Sequence, residues 1–310
     1  MPLRIAVVGV GHLGRHHARI LSSLPGVTLV AVVDRNRARV EEIGAASGVR
    51  ALTDYRDLLG QVDAVTIAVP TELHAEIGTT FLSAGVPALI EKPMARTLAE
   101  ADALIAAAAT SGATLAVGHT ERFNPAIEAA RPLLLDPRFI EVHRLGTFPE
   151  RSLDIDVVFD LMIHDLDVVL SLVNSEIESI EAVGVPVLTG RVDIANVRLR
   201  FVNGCIANLT ASRISRDRVR KIRFFQPAAY LSIDYAAQKI ELWTLVKGAG
   251  PMPAIEGGEV DVVHEEPLKR ELADFADAIV SQRAPVVTGA EGRRALALAQ
   301  AITDKIVAAT

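Results

Sequence analysis

Cysteine is nearly absent from this sequence. A single residue of the type, Cys205, excludes a disulfide framework and a Cys-rich zinc site and suits a reducing compartment. Long apolar runs are missing too. None approaches the roughly 18 residues that a membrane helix needs, so no membrane partner is expected. Positive charge is in deficit. Lys and Arg number 32 against 38 Asp and Glu, a net charge of −6, which is the wrong sign for non-specific nucleic-acid binding. The chain contains neither the G-x-x-x-x-G-K-[ST] loop of phosphoryl transfer nor the G-x-S-x-G nucleophile elbow. Internal repeats and low-complexity linkers are also lacking. The opening stretch MPLRIAVVGVG is a short apolar run ending in glycines, and it reads as a strand rather than a secretory leader. A cytoplasmic protein with a small-molecule partner is the expectation.

What is present is hydrophobic mass in short, regular pieces. Half of the 310 residues are hydrophobic and 23% are charged, the balance of a folded chain long enough for two ordinary domains. Through residue 120, compact apolar runs at 4–8, 28–33, 64–69, 86–90 and 114–117 predict five strands. Helical patterns at 12–24, 35–46, 72–84 and 99–110 lie between them. Fully apolar short strands separated by helices imply a parallel sheet covered on both faces, a doubly wound α/β domain.

After a helix at 121–135, a strand at 140–147 and a helix at 159–172, the pattern changes. Strands follow with little helix between them, at 179–187, 193–201, 205–212, 221–226, 229–234 and 239–245. Asn203-Gly204, between two alternating runs, is a type I′ hairpin signal. Residues 247–258 are rich in Gly and Pro and read as a loop, and helices at 268–281 and 291–308 close the chain. The second half is thus an α+β domain with a large, mostly antiparallel sheet open on one face. The boundary falls near Thr120, giving domains of 1–120 and 121–310. Strands such as 193–201, apolar on alternate residues, should leave an apolar sheet face exposed, so a homodimer or homotetramer through that sheet is predicted.

Gly9-Val10-Gly11-His12-Leu13-Gly14 fits G-x-G-x-x-G, and it follows a strand and opens a helix within the first βαβ unit. Gly9 permits the tight turn, Gly11 lets a pyrophosphate approach the backbone, and Gly14 lets the helix pack closely on the strand. Free N–H groups at the helix start, helped by its dipole, hold phosphates. The plain alternative is a tight turn without a ligand. Asp34 ends the second strand, 20 residues after Gly14, where a carboxylate accepts hydrogen bonds from the adenine-ribose hydroxyls and repels a 2′-phosphate. That favours NAD over NADP, while the adjacent Arg35 is placed to accommodate the phosphate. Asp34 also suits the N-cap of the following helix.

In an open parallel sheet, ligands bind beyond the carboxyl ends of the strands. Those ends are Gly9, Asp34, Val69-Pro70-Thr71, Glu91-Lys92-Pro93 and His119. Lys92, directly after a buried strand and beside a cofactor, is a candidate electrostatic or acid–base group, against the plain reading of a solvated strand-end lysine. Asp160 and His164 stand at i, i+4 on one helix face, and histidine is the natural proton acceptor near neutral pH. The plain reading there is an exposed ion pair. Asp165 and Asp167 point elsewhere. His12 and His16 have metal-ligand spacing, but no acid or cysteine completes the set, so no metal is expected. Arg213, Arg216, Arg218, Arg220, Lys221 and Arg223 form a basic cluster. It reads as the seat of an anionic ligand such as a sugar-nucleotide diphosphate, as a subunit contact, or as a sheet edge blunted by charge.

Together these segments resemble the Gfo/Idh/MocA family of sugar oxidoreductases, which includes glucose–fructose oxidoreductase and inositol dehydrogenase. The likeness runs nearly end to end. It rests on G-x-G-x-x-G-x-x-H from Gly9 to His17, Thr-x-x-His from Thr71 to His74, Glu91-Lys92-Pro93, and Val117-Gly118-His119 followed by Arg122-Phe123-Asn124-Pro125. D-x-x-x-H-D-x-D from Asp160 to Asp167 and the closing stretch Glu271 to Ile279 complete it. The resemblance implies that Lys92 steers the substrate hydroxyl, that His164 with Asp160 handles its proton, and that Arg122 lies by the cofactor. With the residue reading, the expected cofactor contacts are Gly9, Gly11, His12, Leu13, Gly14, Asp34, Arg35, Pro70, Thr71, His74, Glu91, Lys92 and Arg122. The expected substrate contacts are Lys92, Asp160, His164 and, from the basic cluster, Arg213.

The chain departs from the family pattern at 154–159, DIDVVF, where many relatives carry a Gly-rich loop, so the sugar specificity of the best-known members is not carried over. Segments 156–167 and 211–235 more closely resemble the UDP-N-acetylglucosamine 3-dehydrogenases, which act before an aminotransferase in making 3-amino sugars for lipid A. The expectation is NAD-dependent oxidation of a sugar secondary hydroxyl, at C3 of UDP-N-acetylglucosamine, to a ketone. The alternatives are an inositol or free-sugar dehydrogenase and a non-catalytic NAD-binding sensor. Retention of Lys92, Asp160 and His164 together argues against the sensor.

Overall fold

A computed structural model describes residues 1–148, 155–247 and 253–308. The chain divides into two compact units, Met1–Thr120 with Glu266–Leu296, and Glu121–Glu265 with Ala297–Thr310. The first is built from β1 (Leu3–Val8), α1 (Gly14–Leu21), β2 (Val27–Val33), α2 (Arg37–Ser47), β3 (Arg50–Leu52), β4 (Ala64–Ile67), α3 (His74–Ser83), β5 (Ala88–Glu91), α4 (Leu98–Ser111) and β6 (Leu115–Gly118). The strands are all parallel, in the order β3-β2-β1-β4-β5-β6. Ile5 to Val8 and every residue of β4, β5 and β6 are buried, so these strands need apolar side chains on both faces. The strand order reverses between β1 and β4, which sets the ligand crevice at their carboxyl ends. The sequence reading missed β3. Arg50-Ala51-Leu52 is a three-residue edge strand with two exposed residues, so no apolar run marks it.

The second unit holds α5 (Pro125–Ala130), β7 (Phe139–Leu145), a π-helical turn (Val158–Met162) running into α6 (Ile163–Leu172), then β8 (Ile177–Val185), β9 (Ile194–Phe201), β10 (Ile206–Ser212), β11 (Val219–Gln226), β12 (Ala229–Asp234), β13 (Lys239–Val246) and β14 (Ala254–Val260). Its sheet runs β14-β13-β12-β11-β7-β10-β9-β8 and is antiparallel except where β7 meets β10. Three expectations change here. The helix at 121–135 is broken up, because Asn124 caps a short α5 that starts on Pro125, and Pro132 then sits in a 3₁₀ turn. The segment 247–258 is not all loop. β14 pairs with β13 over residues 254–260, while 248–252 lie outside the described residues. The Asn203-Gly204 hairpin forms without a type I′ turn. Gly204 alone takes positive φ (+85°), its N–H donates to Phe201 O at 2.9 Å, and Phe201 pairs with Cys205 across a three-residue loop.

β9 shows how the faces divide. Ala195, Val197, Leu199 and Phe201 are buried, whereas Asn196 and Arg200 are exposed. The expectation of an apolar open face on this strand is therefore corrected, since its apolar side is the packed one and its outer side is polar. Apolar surface gathers elsewhere. Strand register places Trp243, Tyr230, Phe225, Phe139 and Ile206 in one row across β13, β12, β11, β7 and β10, opposite the face that buries Leu231, Phe224 and Ile140. Ring centroids lie 5.5 Å apart for Phe139–Phe225 and 5.2 Å for Phe225–Tyr230.

The closing helices are α7 (Pro267–Val280) and α8 (Gly289–Ala308). Leu272, Phe275 and Ala276 of α7 pack in one core cluster with Ile5, Val7, Leu21 and Val32. The division at 120, which assigned everything afterwards to the second domain, does not describe α7 and the first turns of α8, which fall with the first unit (Glu266–Leu296), whereas the rest of α8 belongs to the second, where Ile306 lies against Gly184 of β8. Among the described residues, no helix is long and apolar enough to cross a membrane.

Candidate active site

In the first unit, the glycine turn leaves no room for side chains at two positions. Gly9 has φ +88°, and a Cβ on Gly14 would lie 1.7 Å from Gly9 O. A Cβ on Gly11 would meet no protein atom within 4 Å, so that side of the turn is clear. No side chain caps the start of α1; the Arg15 and His16 N–H groups donate back to Gly11 O at 3.3 Å and Leu13 O at 2.8 Å, so an anion would meet the turn ahead of them and the positive end of the helix dipole. Beside the turn lies a cavity of about 400 Å³ lined by Val10, Gly11, His12, Arg15, Arg39, Glu42 and Ile43. Cleared backbone, the positive end of a helix and flanking cations fit a dinucleotide pyrophosphate. His12 and Leu13 are exposed on the turn. His12 Nδ1 accepts from Arg15 at 3.3 Å, and its ring meets His16 edge-on at 5.8 Å.

Asp34 reaches across the mouth of the turn. Its Oδ2 accepts from Val10 N at 3.0 Å and its Oδ1 from Asn36 N at 2.8 Å. The capping role that Asp34 suited falls to Asn36, whose side chain accepts from Arg39 N at 3.0 Å. The cation beside Asp34 is Arg39, at 3.5 Å, while Arg35 is exposed. Arg39 was passed over in the sequence, where its only signal was a position one turn into α2.

The remaining strand tips sort into surface and interior. Pro70 is exposed and Thr71 half-buried at the 3₁₀ turn before α3. His74, expected at the cofactor, is buried, and its two ring nitrogens lie 2.9 Å from Pro93 O and 2.9 Å from Val69 O. It ties the segments after β4 and β5 together instead of facing a ligand. Burial pushes this imidazole below its ordinary value, against the two carbonyls, Glu91 and Glu72, which pull the other way. Glu91 is also turned inward. Its Oε1 accepts from His17 Nε2 at 3.0 Å and its Oε2 from the Lys92 backbone N–H at 3.2 Å, so its carboxylate is engaged within the protein and not at the cofactor. Burial alone would raise this carboxyl, but His17 and the charge of Lys92 outweigh it and hold it below its ordinary value. Lys92 itself is half-buried at the end of β5, and the Lys92–Pro93 peptide is cis.

The second unit carries Asp160 and His164, both half-buried. The simple i, i+4 relation is corrected here, because Val158–Met162 is a π turn and four residues do not close one turn of it. The two aspartates that follow are buried anchors. Arg144 donates to Asp165 at 2.6 and 2.9 Å and to Glu121 at 3.0 Å, and its guanidinium lies 5.3 Å over the Tyr235 ring. Burial would lower Arg144, but Asp165 and Glu121 more than reverse it and raise it further above its ordinary value. Arg122 donates to Asp167 at 3.3 Å, so this residue, expected by the cofactor, is engaged in the interior of the second unit. Asn124 accepts from Ala126 N at 3.1 Å and donates to Tyr235 O at 3.0 Å. The R-F-N-P and D-x-D stretches thus fix α6, the helix of His164. Arg144 was missed in the sequence. Its signal was a lone arginine at an inward position between Ile140 and Val142 and the end of β7.

Arg213 is corrected outright. It is 1% exposed, and it donates to Asp193 at 2.9 Å, Ile155 O at 2.8 Å and Val192 O at 3.2 Å, so its guanidinium holds the fold and not a substrate. Two more members of the cluster are paired on β11. Arg223 pairs with Glu141 at 3.0 Å and Lys221 with Asp234 at 3.6 Å, and β11 lies inside the sheet, so the sheet-edge reading also falls.

Residues 3–119 match the Gfo/Idh/MocA oxidoreductase family model, described as an NAD-binding Rossmann fold, and residues 137–226 match the C-terminal domain of the same family. UDP-N-acetylglucosamine 3-dehydrogenase from Acidithiobacillus ferrooxidans is 40% identical over 96% of this chain and 95% of its own. Its solved structure superposes with a TM-score of 0.93 and 38% identity, covering 99% of each chain. Inositol 2-dehydrogenase from Rhizobium meliloti is 30% identical over 69% of each sequence. Levoglucosan dehydrogenase, solved with NADH and levoglucosan, shares the fold with a TM-score of 0.90 at 18% identity, over 100% of this chain and 98% of its own. The chain belongs to the Gfo/Idh/MocA family of NAD-binding oxidoreductases.

Proposed function

We propose that this protein oxidises C3 of UDP-N-acetylglucosamine to a ketone with NAD. The observation that carries this reading is the 40% identity to a UDP-N-acetylglucosamine 3-dehydrogenase over nearly the whole of both chains. In this reading the first unit holds the cofactor and the second takes the substrate. The turn from Gly9 to Gly14 and the start of α1 hold the pyrophosphate, Asp34 holds the adenine ribose, and Pro70 and Thr71 line the strand tips. When bound, NAD supplies the acceptor for the hydride that leaves the sugar carbon.

Lys92 presents its ammonium to the reacting oxygen and stabilises the negative charge that develops there. His164 takes the hydroxyl proton, and Asp160 supports its imidazole. The hydroxyl proton and the hydride leave to different acceptors, and the C–O bond becomes C=O. Contacts to the nucleotide position the ring. The ketone is what an aminotransferase consumes, so we place the reaction in the cytoplasm ahead of 3-amino sugar formation for lipid A.

NADH formation from UDP-sugars, free sugars and inositols tests the substrate, and a preference for an inositol would favour the second reading, which the 30% identical inositol 2-dehydrogenase supports. Lys92→Met should lower kcat by about 10²–10³ and leave NAD affinity nearly intact, because the turn from Gly9 to Gly14 and Asp34 hold most of the cofactor. His164→Asn should lower it by about 10²–10⁴ and recover partly at high pH, where hydroxide substitutes for the base. Turnover by Lys92→Met within a few-fold of wild type would overturn the mechanism. We also propose that copies pair through the second sheet. The support is the row of Trp243, Tyr230, Phe225, Phe139 and Ile206, which takes the place of the β9 face expected from sequence.

A further inference from the structure

We infer that His17 positions Lys92, acting through Glu91. The inference rests on the reading of Lys92 as the group that stabilises the reacting oxygen. His17 is fully buried on α1, and its Nε2 lies 3.0 Å from Glu91 Oε1. An ionised carboxylate only accepts, so the hydrogen is on Nε2. The other carboxylate oxygen accepts from the backbone N–H of Lys92 at 3.2 Å. The imidazole therefore fixes the carboxylate, and the carboxylate fixes the peptide unit from which Lys92 projects.

The neighbouring strand is shaped for this arrangement. Gly118 on β6 is the register partner of Glu91, and a Cβ there would come within 3.0 Å of Glu91 Cδ and Oε2. An apolar side chain would fill the same space without the cost of desolvating a carboxylate. It would lack an acceptor on each side, one for His17 and one for the Lys92 amide. Glu91 is 5% exposed and both of its oxygens are taken, so what it does for the reaction passes through these two hydrogen bonds. A misplacement of about 1 Å at a reacting group can cost about 10²-fold in rate, which makes the anchoring of this backbone consequential.

The test uses the intact enzyme with NAD and UDP-N-acetylglucosamine. His17→Asn is too short to reach Glu91, whereas His17→Gln carries an amide nitrogen at about the reach of Nε2. His17→Asn should lower kcat by about tenfold or more, with the NAD Kd within about twofold of wild type. His17→Gln should restore most of that loss. In a Lys92→Met background, His17→Asn should change kcat by less than about twofold, since the group it positions is gone. Hydrogen exchange without NAD gives a readout independent of turnover, in which the Lys92 amide should exchange faster in His17→Asn than in wild type. Equal losses of kcat in both backgrounds, or an unchanged Lys92 amide, would overturn the inference. Should His17→Asn not fold, His17→Gln decides alone: kcat and Lys92 amide protection changing together, or both staying, support it, and one changing without the other overturns it. If Lys92→Met itself keeps wild-type kcat, the reading of Lys92 fails. If Lys92→Met is slow and His17→Asn is not, only the present inference fails.

Discussion

Arg213→Met separates a ligand contact from a structural one. Asp193 accepts from Val187 N, Leu188 N and Thr189 N at 2.9, 2.7 and 2.8 Å, from Thr189 Oγ1 at 2.8 Å and from Arg213 Nε at 2.9 Å. Methionine fills much of the arginine stem, so the cavity contribution is small. The substitution removes one charge-assisted hydrogen bond, worth about 1.5–3 kcal/mol, and takes a donor from the carbonyl of Ile155, a residue 37% exposed, where water replaces it at little cost. Val192 O keeps its bond from Val157 N at 3.0 Å. Breaking a buried ion pair typically costs about 3–5 kcal/mol, and the four donors that remain on Asp193 place this case near 3. That corresponds to a fall in melting temperature of about 6–12 °C, at about 2–4 °C per kcal/mol. Melts followed by circular dichroism, with KM for UDP-N-acetylglucosamine measured on the same protein below the transition, check it. The expected result is a lower melting temperature with KM unchanged. A melting temperature within about 2 °C of wild type together with a tenfold higher KM would refute the reasoning and return Arg213 to the substrate.

Isothermal titration should show tighter binding of NAD than of NADP. Asp34→Ala should weaken NAD and improve NADP, because the carboxylate leaves and Arg39, now 3.5 Å from it, is freed; tighter NADP binding by the wild type would refute the assignment. Stability should fall in acid. Burial alone would raise Asp193, but the Leu188 and Thr189 donors and Arg213 outweigh it and hold it far below its ordinary value. A carboxyl depressed in the folded state contributes its full stability above the unfolded pKa, about 4, and loses it as pH falls further. Urea midpoints from pH 7 to 3 should therefore drop below about pH 4, with a shallower drop in Asp193→Asn, and equal slopes would contradict this. Trp243 is 41% exposed at the end of the aromatic row, and Trp243→Glu should shift light scattering from oligomer to monomer while leaving the melting temperature nearly unchanged. An unaltered mass would remove that row from the interface.

Local chemistry decided much of this protein before any tertiary contact. Short strands that are apolar throughout can only be buried on both faces, which makes the first sheet parallel and helix-covered, and the spacing of Gly9, Gly11 and Gly14 after β1 marks the phosphate turn. A carboxylate at the end of β2 and a lysine at the end of β5 were legible for the same reason, since strand ends follow from where apolar runs stop. Partners far apart in sequence were not legible. Nothing local says that Glu91 faces His17, that Asp165 meets Arg144, or that Arg213 closes on Asp193, because each pairing is made by strands and helices brought together from distant positions. The same limit governed α7, whose apolar stripe predicts burial but not which sheet receives it, and β9, whose alternation marks an inner and an outer face without saying which is covered. Periodicity fixes what a segment must bury, and only the folded chain decides against what.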